Sequence, residues 1–203
     1  LAIPDSAKAG AALFIGTVQF SILLIVSEAV YPGYSVSGNY ISDLGATCAG
    51  GSCTIPPSSS IFNASVALLG LLVLLSSYFL QRSFRWKPIT GLVALTGIGA
   101  LGVGVFPETA GYLHGIFSLI AFLFAGLSAV VAYRFQTSPL SYFSVVLGAI
   151  TLLSLVLYVG HYYAGLGPGG MERIVVYPVL LWGAGFGGHL MSSGGPATPA
   201  RSA

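Results

Sequence analysis

Six long apolar runs divide the chain, each bounded by charged residues, prolines or glycines. They cover roughly Ala11–Val30, Ile61–Leu80, Ile89–Phe106, Tyr112–Tyr133, Leu140–Tyr163 and Ile174–Met191. Each run is close to the roughly twenty residues that cross about 30 Å of hydrocarbon at about 1.5 Å per residue. Backbone in lipid must satisfy its own hydrogen bonds, so runs of this length predict helices. Barrel strands would be half as long and would alternate. The expected fold is all-α: a polytopic integral membrane bundle of six transmembrane helices, forming one domain over residues 1–192. The first run is too long for a signal-peptide core and carries Glu28, so it reads as a retained helix.

The connections are short except for residues 31–60, a Tyr/Gly/Ser/Pro-rich loop. Residues 193–203 read as a flexible Gly/Pro/Ser tail. Glycines recur inside the runs at 97, 99, 102, 104, 183 and 187. Small residues let membrane helices approach closely. The same faces suit room for a flat ligand or a homo-oligomer contact.

Composition turns this pattern into a statement about solvent. The 203 residues are 55% hydrophobic and 6% charged, against about 25% charged in soluble domains. The surface itself faces lipid, so the bilayer is the expected partner. A net charge of +2 with no basic face excludes nucleic acid. With the N-terminus inside, Lys8, Arg82, Arg85, Lys87, Arg134 and Arg201 all fall inside and only Arg173 outside. That bias predicts a cell-membrane protein with both termini cytoplasmic, and it makes Arg173 the exception that calls for a local reason.

Several blocks carry a family likeness. They are Tyr34-Ser35 to Asn39-Tyr40-Ile41-Ser42-Asp43-Leu44-Gly45, then Ile61-Phe62-Asn63-Ala64-Ser65, then Gly102 to Glu108 with His114, and Gly170-Met171-Glu172-Arg173 to Tyr177-Pro178. The chain resembles an uncharacterised prokaryotic family of multi-helix membrane proteins, domain of unknown function 998, over nearly its whole length. The resemblance implies the six-helix fold and brings no activity with it. Cys48 and Cys53 stand apart from those blocks. Their shared outer loop predicts a small disulfide on an oxidising face.

Ionisable groups in membrane segments are functional candidates by default. His114 falls in the first turn of helix 4 and His161 in the last turn of helix 5, at one depth near the outer face. Glu28, Asn39, Asp43, Asn63, Glu108, Glu172 and Arg173 are expected in the same layer, with Glu108, Glu172 and Arg173 in outer loops. His189 lies about 20 Å deeper along helix 6. The leading expectation is a b-type cytochrome-like haem site for electron transfer or redox sensing. His114 and His161 would be axial ligands and Arg173 would meet the propionates. A zinc-dependent membrane hydrolase would use the same histidines with Glu108 or Glu172. A non-catalytic scaffold or lipid-binding subunit needs neither metal. A plain structural role is that these polar groups pair with one another: Glu172 and Arg173 would cap helix 6, or Glu28 would pair with Arg173.

Overall fold

The computed structural model describes residues 2–46 and 53–192. It contains the six expected helices: α1 (Asp5–Val30), α2 (Ser58–Phe84), α3 (Lys87–Val105), α4 (Tyr112–Val131), α5 (Leu140–Val159) and α6 (Gly167–Ser192). Short 3-10 turns at Ser42–Leu44, Glu108–Ala110 and Ala132–Phe135 complete the regular structure, and no strand occurs among the described residues. All six helices are long and apolar enough to cross a membrane. Cys48 and the 193–203 tail lie outside the described residues, and so does the expected Cys48–Cys53 disulfide.

The helices outrun or fall short of their apolar runs at several ends, α1 starting at Asp5 and α2 ending at Phe84, and the two differences between α5 and α6 have backbone causes. α5 stops at Val159 and not at Tyr163. The N–H of Tyr162 reaches the carbonyl of Leu157 at 2.9 Å and that of His161 reaches Tyr158 at 3.0 Å, with His161 at φ +56°. This is a Schellman stop, in which the left-handed residue just past the helix is usually glycine. α6 begins at Gly167, well before its apolar run. Pro168 suits a first helical turn because its missing N–H has no partner to lose there, and the turn Gly-Pro-Gly-Gly packs backbone where other turns pack hydrocarbon.

The helices form a closed ring. Each packs on its neighbour in sequence, and α6 returns to pack on α1. Glycines set these approaches. A Cβ at Gly70 would lie 2.3 Å from the backbone nitrogen of Leu101, one at Gly99 2.3 Å from that of Ala121, and one at Gly187 2.7 Å from the carbonyl of Gly10. The glycines that the sequence marks for close helix approach pack within the chain: Gly97 and Gly104 against α2, Gly99 and Gly102 against α4, Gly183 and Gly187 against α1. The outward faces are hydrocarbon, with Val156 71%, Leu153 68% and Ile25 63% exposed, as lipid requires. Pro178 interrupts the α6 ladder, and nearby the Thr151 hydroxyl donates to the Val175 carbonyl at 3.0 Å.

Candidate functional site

At the end of the ring where α1 finishes and α6 begins, the segment after α1 is stapled onto α6. Gly169 makes the approach possible: a Cβ there would sit 1.8 Å from the Asn39 carbonyl. Its N–H donates to Ser37 at 3.0 Å. Glu172 and Arg173 follow one turn later. They are buried inside the helix, 4% and 5% exposed, and not in a preceding loop as expected, because the helix starts at Gly167. Arg173 Nη1 donates to the carbonyls of Val36 and Gly169, each at 2.8 Å. Its Nη2 donates to Glu28 Oε1 at 2.5 Å and to the Tyr34 hydroxyl at 2.7 Å. The Glu172 carboxylate accepts the N–H groups of Ile41 and Ser42, at the start of the Ser42–Leu44 turn, where unpaired donors favour an anion. The out-of-pattern cation thus has a local reason: it answers Glu28 and fastens this segment as a lid.

Beneath the lid lies a chamber of about 260 Å³, walled by Tyr40, Ser42, Glu108, His114, Ser118, Tyr158 and Glu172 among others. His114 is placed by its first-turn position on α4, and its Nδ1 lies 2.8 Å from the Phe106 carbonyl. A carbonyl only accepts, so Nδ1 carries the proton and Nε2 is left as a bare acceptor. Glu108 comes from the turn between α3 and α4. Burial, with the Asp43 carboxyl hydrogen-bonded to it and Glu172 nearby, pushes its pKa up to about 8, so near neutrality it is chiefly the neutral acid. Asp43 is itself held by Asn39 Nδ2 and the Tyr40 N–H, both at 2.9 Å. Asn63 ties the lid to α2 through Gly45 O at 2.9 Å.

His161 does not join His114. It stands exposed beyond the α5 stop and lines neither cavity. Its Nδ1 meets the Tyr163 hydroxyl at 3.0 Å, which meets the Tyr40 hydroxyl at 3.2 Å. It reaches the chamber wall only through two phenols. The bond to Tyr163, with burial, pushes the Tyr40 hydroxyl up to about 12, so it stays neutral. His189 belongs to the opposite end, with Nε2 3.1 Å from the Phe135 carbonyl. Among the described residues no group of three or more His, Cys, Asp or Glu is placed to hold a metal ion. Glu108, Glu172 and His114 share the chamber without forming one.

Beside the chamber a shaft of about 100 Å³ lies in the ring's interior. Ser42, His114, Ser118, Phe122 and Glu172 line both. Below them the wall is almost wholly apolar, with Phe20, Phe62, Leu69, Val93 and Val176. It extends to Trp182, ten residues past Glu172 on α6 and so about 15 Å deeper. Trp182 Nε1 and Ser128 Oγ are buried in this wall without a hydrogen-bond partner. Sequence reasoning missed Tyr40, Ser118, Ser128 and Trp182. The only signal was the Asn-Tyr-Ile-Ser-Asp block, which places Tyr40 beside Asp43.

A family model described as "Protein of unknown function (DUF998)" matches residues 14–189, and the chain belongs to that family. No curated protein and no solved structure matches it.

Proposed function

We propose that this DUF998 chain is a lipid-binding membrane module that takes a single-chain amphiphile, its head in the polar chamber and its tail in the apolar shaft. The wall that the two spaces share, formed by Ser42, His114, Ser118, Phe122 and Glu172, carries this reading by setting a polar space directly against an apolar one. Lipid tails are as apolar as the shaft, so moving a tail from the bilayer into it yields little hydrophobic gain. Selectivity must come from the head, which leaves a buried polar wall unpaired unless it matches it. That wall carries no cation: it offers the Nε2 of His114 and the carboxyls of Glu108 and Glu172, beside hydroxyls of Tyr40, Ser118 and Tyr158 that donate or accept. The nearest guanidinium, on Arg173, is already paired with Glu28. The chamber therefore suits a hydroxyl or ammonium head and disfavours a sulfate or phosphate.

Trp182 provides the test, because the chain has two tryptophans and Trp86→Phe leaves it alone. In phosphatidylcholine vesicles, a long-chain alcohol brominated at its tail end should quench Trp182 saturably. The unlabelled alkyl amine should compete and the alkyl sulfate should not. Quenching that rises linearly with quencher, or competition by the sulfate as strong as by the amine, would overturn the reading.

One observation favours a second reading. His114 holds its Nδ1 proton on a carbonyl and offers Nε2, the arrangement usual for a ligating histidine. The haem b expectation then rests on His114 alone, without His161 or Arg173. An absorption spectrum of the purified protein decides it: a Soret band lost in His114→Ala would replace the lipid reading with a haem one.

For orientation, the helix ends at Lys8, Arg82, Arg85, Lys87 and Arg134 favour a cytoplasmic location for the termini, with the chamber at the opposite face of a cell membrane. A reporter fused after Ala203 and reachable only from outside the cell would reverse this assignment.

A further inference from the structure

We infer that the occupant enters sideways from the bilayer, through a portal between α4 and α5 at Gly115, so that the ligand is a membrane-resident lipid and not a solute from water. This rests on the lipid-binding reading above and concerns its route. The observation is a mismatch along one helix pair. Toward the far end α4 and α5 close tightly: a Cβ at Gly148 would come 2.7 Å from the Gly126 carbonyl, and one at Gly126 2.8 Å from the Leu152 side chain. At the chamber end, Gly115 on α4 has nothing within 4 Å of where a Cβ would be. The small residue is not there to admit a neighbouring helix.

Gly115, Leu119 and Val159 line the chamber and also belong to the lipid-facing surface: Leu119 is 47% and Val159 61% exposed. One wall of the chamber is thus shared with the hydrocarbon region. The water-facing side is covered by the segment from Val36 to Ser42, which Arg173 and Glu172 hold in place. A soluble molecule would have to break those buried contacts, whereas a lipid has only to pass the open space at Gly115.

Gly115→Phe tests the route, since a Cβ there has no heavy atom within 4 Å and the ring starts from open space. It is made in the Trp86→Phe background and read by stopped-flow quenching of Trp182 with the tail-brominated alcohol in phosphatidylcholine vesicles. The expected result is a quenching rate at least tenfold slower, with the thermal unfolding midpoint unchanged. A rate equal to the parent's overturns the portal while leaving the lipid reading intact. Absence of saturable quenching in the parent overturns both. Should Gly115→Phe unfold, Gly115→Cys blocked after folding by a reductant-cleavable benzyl thiosulfonate replaces it, with the same reagent on the parent as control. Slow quenching restored by reductant supports the portal, and unaltered quenching refutes it.

Discussion

The guanidinium of Arg173 meets the carboxylate of Glu28 at 2.5 Å across 145 residues of sequence, joining the end of the first helix to the start of the last. Its other donors hold the lid by the carbonyls of Val36 and Gly169. Removing one partner of a buried pair leaves the other charge stranded, which costs about 3–5 kcal/mol. Arg173→Leu should lower stability by that order and open residues 31–46 to protease. Glu28→Leu with Arg173→Leu should recover part of the loss. Thermal unfolding in detergent measures both, and an unchanged midpoint in Arg173→Leu would show that the pair fastens nothing.

Glu108 makes stability depend on pH in a direction opposite to the usual carboxylate. Its folded pKa of about 8 lies above the unfolded value of about 4.3. Between these values the folded state holds the extra proton, so stability falls as pH rises through that window and levels off above it. Glu108→Gln keeps a neutral donor and should flatten the profile. The unfolding midpoint followed from pH 5 to pH 9, as an interval of roughly that window, tests the sign. A midpoint that climbs over that range and loses its climb in Glu108→Gln contradicts it.

His161 occupies a left-handed position at φ +56° that costs a non-glycine residue about 1–2 kcal/mol. His161→Gly should therefore raise stability by about 1 kcal/mol, less the loss of an exposed hydrogen bond to Tyr163. Saturable quenching of Trp182 should persist. If the variant instead loses its ligand, His161 touches the occupant and the site extends farther than the chamber.

Two glycines of α3 should behave oppositely when each becomes alanine. At Gly99 the new Cβ would fall 2.3 Å from the Ala121 backbone, which cannot retreat alone; at Gly91 it meets nothing. Gly99→Ala should lower the unfolding midpoint clearly. Gly91→Ala should match or exceed the parent, gaining up to about 1 kcal/mol of helix propensity. Equal midpoints for the two would mean that α3 and α4 are not held at backbone contact.

The helices were legible because lipid imposes a length and an apolar character on anything that crosses it. That Arg173 needs a local partner was legible too, since it is the one cation against the charge bias and Glu28 was among the acids at its level. The α5–α6 junction was not. Its boundaries are set by backbone hydrogen bonds at Tyr162 and His161 and by the low-hydropathy turn at Gly167, none of which changes the apolar pattern. Placing His161 in a helix brought it level with His114. The backbone turns away instead, and the two part. Nor does the sequence announce the interior: Trp182, Ser128 and Ser118 sit in apolar runs that read the same whether they line a hollow or fill it.

Because α6 returns to α1, with the Gly10 backbone against Leu190 and Met191, the order of the helices has no natural first member. In topological terms the chain is a circle cut once. Linking residue 192 to Asp5 and reopening the chain between Phe84 and Lys87 should yield the same enclosure from a differently numbered thread.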